Sequence, residues 1–242
     1  VEGHEDKRYA KFMNSFLGRM SKEQRQAWDA AYGPKNEAFL KAGLEGKELV
    51  RWKYQRYVKD YLRCVAAVDD GVGRILESLD KLGLSENSIV IYASDQGFYL
   101  GEHGWYDKRW IYEESLKMPL VMRWPGTIKP GTKIKKLTQN IDFAPFFLEA
   151  AGTEVPEGIQ GMSLLPLFKN HNADWRESIY YHYYEAGGHG VPAHFGVRDE
   201  RYKLVHFPRT KEWNLVNLKE DPQEMQSFHD DPAYKETLDQ MR

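Results

Sequence analysis

The stretch SIVIYASDQGFYLGEHGWYDK, Ser88 to Lys108, decides how the rest of the chain is read. It opens on Ile89-Val90-Ile91-Tyr92, an apolar run of β-branched and aromatic residues that predicts a short buried strand. Ser94-Asp95-Gln96-Gly97 follows at the carboxyl end of that strand, where open α/β sheets place their ligand sites. Gly97, Gly101 and Gly104 then give a loop freedom to turn sharply and lie close to a ligand, and the loop ends at Asp107-Lys108-Arg109.

Upstream, Lys47 to Leu82 has Val50, Tyr54, Tyr57, Val58, Tyr61, Leu62, Val65, Val68, Val72, Ile75, Leu76 and Leu79 at the three-and-four spacing of one helix face. With no proline inside, this predicts one helix roughly 50 Å long. Gly71 and Gly73 each cost it about 1 kcal/mol relative to alanine, which close packing against a sheet, or a kink, would explain. The neighbouring Asp69 and Asp70 point roughly 100° apart on such a helix and do not make a metal pair. Gly83 stops the helix, and a short turn leads into the strand, half of a βαβ arrangement. Val1 to Leu44 is polar and weakly periodic, with a helix start at Ser21, and does not read as an independent domain.

Downstream, Trp110 to Ser115 predicts a short helical turn and Pro119 to Trp124 a second apolar strand ended by Pro125-Gly126. Ile141 to Ala151 reads as an amphipathic helix with Pro145 tolerable in its first turn. From Trp175 the pattern changes to short alternating segments at Ile179–Tyr184, His194–Arg198, Tyr202–Phe207 and Glu212–Leu218, followed by a terminal helix over Pro232–Met241. The expected fold is α/β, with residues 1–172 forming part of an α/β sheet domain and residues 173–242 a small antiparallel sheet with a terminal helix.

The net charge of −2, with both signs interspersed, gives no basic nucleic-acid surface. No run of about 18 apolar residues offers a membrane span, and VEGHEDKRYA has no signal-peptide core, so any export address would lie outside this sequence. Fifteen Tyr and seven Trp fit a carbohydrate-handling surface as well as an aromatic core. The one cysteine, Cys64, excludes an intrachain disulfide and a cysteine-based metal cluster.

Asp95 offers a hard carboxylate oxygen and Gln96 a neutral carbonyl oxygen, a pair that suits Ca²⁺, or less well Mg²⁺, better than zinc. Two ligands do not make a site; at least two more carboxylates are needed, and Asp95 could instead cap the following turn. Lys108, thirteen residues after Asp95, adds a cation that can meet an anionic ester oxygen beside such a metal.

Tyr92-Ala93-Ser94-Asp95-Gln96-Gly97, continuing through Leu100-Gly101-Glu102-His103-Gly104 to Asp107-Lys108, resembles the second metal-binding motif of the formylglycine-dependent sulfatases in the alkaline phosphatase superfamily. Tyr61 to Leu82, Met118 to Gly126, Asn140 to Pro145, Gln160 to Leu167, Gly196 to Leu204 and Leu215 to Pro222 extend the likeness over about residues 50 to 242, and the flavour is that of glucosamine-6-sulfatases and mucin-desulfating enzymes. The resemblance implies that Asp95 and Gln96 help bind a catalytic calcium, that Lys108 contacts the sulfate group, and that His103, in the loop between them, is a weak catalytic candidate. It also implies a sulfated sugar or glycan as substrate and an exported enzyme, whether periplasmic, extracellular or lysosomal.

The chain departs from the family in one large respect. Sulfatases convert the Cys or Ser of a Cys/Ser-x-Pro/Ala-x-Arg motif to formylglycine, and no such motif occurs here. Cys64 leads to Ala66, but Val68 stands where the arginine belongs and the cysteine lies within the predicted helix, so it reads as a packed helix residue. The N-terminal paired aspartates are missing too. The chain therefore reads as the C-terminal portion of a longer enzyme, inactive alone, with the missing N-terminal half as its partner. Between the first two C-terminal strands, His182, His189 and His194 fall at spacings that define no zinc set, and His194 is the preferred sugar contact of that loop. Two alternatives remain open: a phosphodiesterase or phosphonate hydrolase of the same superfamily, and a non-catalytic glycan-binding protein on a decayed sulfatase scaffold.

Overall fold

The computed structural model describes residues 7–185 and 188–242, and the chain divides into two compact units, the first ending at Val65 and the second running from Ala66 to Arg242. In the first, α1 spans Lys7–Leu17 and α2 spans Lys22–Ala42. Ser21 starts α2 with a capping box: its hydroxyl accepts from the Gln24 amide at 3.2 Å, and the Gln24 side chain accepts from the Ser21 amide at 2.9 Å. Phe39 of α2 is buried against Trp52, with ring centroids 3.9 Å apart.

The helix α3, Gly46–Lys81, is one uninterrupted run of 36 residues, as its spacing predicts. Its surroundings differ from expectation. None of its residues is buried, Val50, Leu62, Val65, Val68 and Ile75 are exposed, and Cys64 is an exposed free thiol rather than a packed residue. A Cβ added at Gly71 would have no neighbour nearer than 3.8 Å and one at Gly73 none within 4 Å, so close packing is not what these glycines provide here.

In the second unit, β1 (Val90–Ala93) pairs antiparallel with β2 (Leu120–Arg123), with Ile91 opposite Met122 and Tyr92 opposite Val121. The helix, turn and strand expected as half of a βαβ arrangement follow one another as α3, a 3-10 turn at Ser85–Asn87 and β1, and among the described residues β1 pairs with antiparallel β2 as a two-stranded ribbon. The ribbon's two faces differ because successive side chains alternate. Ile89, Ile91, Met122 and Trp124 pack on a core of Phe146, Leu164, Leu167 and Trp175, whereas Tyr92 and Val121 on the opposite face are exposed. The strand expected to be buried is therefore covered on one face only.

Between β1 and β2 lies the short α4, Glu113–Leu116. After β2, a 3-10 turn at Asn140–Asp142 leads into α5 (Phe143–Ala150), with Pro145 in its first turn, and α6 follows at Leu165–Lys169. Asp142 is fully buried and fixes this region: it accepts from the amides of Gln139 (2.7 Å) and Met162 (2.9 Å) and takes both ends of the Arg176 guanidinium at 2.5 Å. Gly161 is required beside it, since a Cβ there would lie 2.0 Å from the carbonyl oxygen of Ile141.

The last strands, β3 (Ser178–Tyr183), β4 (His194–Asp199), β5 (Tyr202–Phe207) and β6 (Glu212–Asn217), form an antiparallel meander in that order. The terminal helix α7, Lys235–Met241, buries Leu238 against Leu204 and Leu215 on one face. The other face receives the chain after the Ser88–Lys108 stretch: Ile111 lies against Gly196, and Glu113 pairs with Arg198 and Lys203. The α/β architecture with a C-terminal antiparallel sheet and terminal helix is as expected, and the change of sheet near residue 173 falls inside the second unit.

Candidate active site

The loop after β1 doubles back on itself. Tyr99 N–H donates to the Asp107 carbonyl at 2.7 Å and Gly101 N–H to the Trp105 carbonyl at 2.9 Å, so Asp107 returns beside Tyr99 with Lys108 following it. The turn at the tip uses Gly104 and His103, both with positive φ. Gly97 serves another purpose. Its N–H donates to the Ser115 carbonyl at 2.8 Å, and a Cβ there would sit 1.9 Å from the Glu114 carbonyl oxygen. Close approach to α4, rather than turning, is what demands glycine.

Asp95 is exposed, and among the described residues its carboxylate receives only a long 3.4 Å contact from the Ser94 hydroxyl. Among the described residues it caps no backbone amide, so the turn-capping alternative finds no bond there. Its main-chain oxygen is held by the Asn140 side-chain amide at 3.0 Å, and Ser94 Oγ donates to the Gln96 carbonyl at 2.7 Å. Among the described residues the Gln96 side-chain amide makes no hydrogen bond. Two hard oxygens thus stand free on an anchored turn, a donor set that fits part of a Ca²⁺ shell. Among the described residues no group of three His, Cys, Asp or Glu side chains gathers to complete one.

Lys108 is part-buried, and among the described residues its ammonium pairs with no carboxylate. Its neighbour Arg109 does, placing Nη1 2.5 and 2.6 Å from the two Asp107 carboxylate oxygens, so the local negative charge is already taken up. The backbone here is held unusually firmly. The carbonyls of Lys108, Arg109 and Trp110 accept from the hydroxyls of Ser115 (2.5 Å), Tyr181 (2.8 Å) and Tyr99 (3.0 Å) respectively.

His103 lies between rings. It stacks on Tyr112 with centroids 4.1 Å apart, meets Tyr99 edge-on, and places Nε2 3.5 Å from Glu114. His194 is fully buried in β4, within ring contact of Trp110, Tyr181, Tyr183 and Phe207, and its Nδ1 lies 2.9 Å from the Pro192 carbonyl. Burial holds its imidazole below the ordinary pKa of 6.5. An enclosed ring offers no open face to a sugar, so such a contact would require these aromatics to part. His182 stacks on Tyr184 at 3.8 Å, and His189 is exposed; Ala186 and Gly187 of that loop lie outside the described residues.

Sequence reading did not single out Ser115, Asn140, Tyr99 or Tyr181, whose hydroxyls or amide grip backbone rather than ligand. One signal was present: Lys203 alternates onto the same face of β5 as buried Val205, so its charge needs an interior partner.

Residues 2–153 match the family model described as sulfatase, and residues 101–242 match the one described as N-sulphoglucosamine sulphohydrolase, C-terminal. An N-acetylglucosamine-6-O-sulfatase of Bacteroides thetaiotaomicron is 47% identical over 225 residues, covering 91% of this chain and 40% of that protein. The solved structure of BT4656 in complex with its substrate D-glucosamine-2-N,6-O-disulfate superposes with a TM-score of 0.89 at 45% identity, covering 94% of this chain and 47% of that one. The multifunctional alkaline phosphatase superfamily protein PehA of Trinickia caryophylli is 31% identical over 188 residues, covering 72% of this chain and 36% of that protein. The chain thus spans less than half the length of each of these relatives. By the extent of these matches, which take in the anchored Asp95-Gln96 turn, the protein belongs to the sulfatase family.

Proposed function

We propose that this chain supplies half of the active site of an enzyme that hydrolyses sulfate esters on a sulfated glucosamine, with 6-O-sulfated N-acetylglucosamine as the preferred form. The observation that carries the reading is the pairing of groups unengaged among the described residues: Asp95 and Gln96 oxygens on one turn, and the Lys108 ammonium on the loop that folds back beside it. The likeness to the 6-O-sulfatase and to the disulfated-glucosamine complex supports the choice of substrate.

In this reading Asp95 and Gln96 contribute to a Ca²⁺ site, and the ion, when bound, draws charge from a sulfate oxygen. Lys108 takes a second sulfate oxygen, and its positive charge stabilises the negative charge that moves onto the sulfate and leaving oxygen as the ester bond breaks. The nucleophile and the remaining metal ligands come from sequence outside these 242 residues, so the chain alone does not turn over substrate. That same sequence covers the face of the ribbon on which Tyr92 and Val121 are exposed. The whole protein works outside the cytoplasm, a reading that rests on the family resemblance.

Sulfate release from 6-O-sulfated N-acetylglucosamine by the full-length protein tests the assignment. Asp95→Ala and Lys108→Ala should each reduce kcat/KM by at least about a hundredfold, the scale of removing one transition-state charge partner. Unchanged release in both variants would end the assignment. The likeness to PehA, an alkaline phosphatase superfamily protein, and to the solved phosphonate monoester hydrolase of Silicibacter pomeroyi keeps a phosphodiesterase or phosphonate hydrolase of that superfamily as the second reading, and faster hydrolysis of the ester bond of p-nitrophenyl phenylphosphonate than of the sulfated sugar would select it. Tight binding of the sulfated sugar with no turnover of either would instead select the glycan-binding reading.

A further inference from the structure

Three consecutive carbonyls, those of Lys108, Arg109 and Trp110, are each held by a side-chain hydroxyl from a different part of the second unit: Ser115 from α4, Tyr181 from β3 and Tyr99 from the loop. Ordinary loops leave successive carbonyls to water or to one another, and the peptide plane then rotates freely. Here each plane is locked from the side. Tyr99 is fully buried, Ser115 is nearly so, and burial pushes the Tyr181 phenol up to about 12, so all three hydroxyls keep their protons and remain donors throughout the physiological range. Ser115 has a second role: its own carbonyl accepts from Gly97 N–H, the residue immediately after Gln96.

We propose that the hydroxyls of Ser115, Tyr181 and Tyr99 are positioning groups that aim the Lys108 side chain, and that Ser115 fixes the distance between the Asp95-Gln96 turn and the Lys108 turn. The inference rests on the assignment of Lys108 as the sulfate-facing cation. Lys108 has no carboxylate among the described residues to orient its ammonium, so its direction is set from the main chain outward. The antiparallel C-terminal sheet thereby acts on the site without reaching it, through Tyr181.

Three conservative variants of the full-length enzyme, Ser115→Ala, Tyr181→Phe and Tyr99→Phe, test this, each deleting one hydroxyl. At saturating Ca²⁺, each should lower kcat/KM for the sulfated sugar by about five- to tenfold, the effect of one lost hydrogen bond. Half-saturating Ca²⁺ should stay unchanged in all three, because the Ser115 carbonyl still holds Gly97. In a Lys108→Ala background the same substitutions should cause no further loss, since groups acting through one residue are not additive. Losses that multiply with that of Lys108→Ala, or hydroxyl variants with wild-type kcat/KM, would overturn the positioning role while leaving the sulfatase reading intact. A harmless Lys108→Ala would instead sink the Lys108 assignment, and the positioning role with it.

Discussion

Lys203 places its ammonium 2.7 Å from Glu224 Oε1 with its side chain entirely enclosed, and the second Glu224 oxygen accepts from the backbone amide of Glu113 at 2.6 Å. Lys203 also reaches Glu113 Oε1 at 2.9 Å, and Arg198 closes on the same carboxylate at 3.0 Å. Burial pushes the Glu113 carboxyl upward, but the Arg198 and Lys203 cations outweigh it and hold the group below its ordinary value, whereas Glu224, more deeply placed, is raised by its burial. The network ties the first turn of α4, and with it Ser115, to the C-terminal sheet.

Removing Lys203 from this network leaves the enclosed Glu224 without a cation, while Glu113 keeps Arg198. Lys203→Met should therefore destabilise the chain by about 3–5 kcal/mol, the usual cost of orphaning a buried charge. Adding Glu224→Gln removes that orphaned charge and should restore part of the loss. Denaturant unfolding of the single and double variants reads both effects. A Lys203→Met protein as stable as the parent would show that the network contributes nothing.

His194 gives the fold a dependence on acid. Its burial among aromatic rings favours the neutral imidazole, so the folded pKa lies below the free value of 6.5. Between those two pH values the unfolded chain binds the proton and the folded chain does not, so stability rises with pH there. The contribution is fully present above 6.5 and is lost as pH falls from that point through the folded value. His194→Phe keeps a ring in the stack and removes the titration. Unfolding free energies measured against pH should show the parent losing stability relative to the variant on acidification below 6.5, and parallel curves would contradict this.

Much of this architecture was legible because local chemistry and period agree along the chain. The capping box at Ser21, the unbroken spacing of α3 and the two-residue alternation of β3 to β6 each report on bonds made within a few residues, and all four C-terminal strands fall where alternation puts them. The β1 segment was legible in kind but not in context. Ile89 to Tyr92 is apolar on both faces, which predicts cover on both, and only the face of Ile89 and Ile91 is packed. The proposed site showed the same split. Asp95, Gln96 and Lys108 announce themselves by type and spacing, whereas Ser115 and Asn140 act through backbone carbonyls, and periodicity carries no information about which carbonyl a hydroxyl will meet.

That split of faces can be tested directly. Val121 is 63% exposed while Met122, its neighbour on β2, packs into the core. Val121→Lys should leave the stability of the chain within about 0.5 kcal/mol of the parent, as for other exposed positions. Met122→Lys should cost several kcal/mol, on the order of 3 or more, by burying an unpaired charge. In the full-length protein Val121→Lys should become damaging as well, because the proposed covering sequence meets that face. Soluble expression and thermal unfolding of both lengths decide it, and a harmless Val121→Lys in the full-length protein would refute the proposed cover.

Asn140 links the buried Asp142–Arg176 pair to the proposed metal turn. Asp142 and Arg176 fix the 3-10 turn from within, and Asn140, exposed two residues earlier on that turn, commits its side-chain amide to the Asp95 carbonyl. Holding a ligand's backbone restricts where its carboxylate can swing, so the bond should matter more to an ion than to the fold. Asn140→Ala should lower stability by only about 1 kcal/mol, one solvent-accessible hydrogen bond. Half-saturating Ca²⁺ for the full-length enzyme should rise about tenfold, the scale on which partners behind a metal ligand act. Asp142→Asn supplies the contrast, since it leaves the Arg176 guanidinium buried without its counter-charge and should cost about 3–5 kcal/mol before any effect on calcium is read. Calcium titration followed by calorimetry, beside unfolding of the same samples, separates the two. A large stability loss with unchanged calcium affinity in Asn140→Ala would assign the residue to the fold alone.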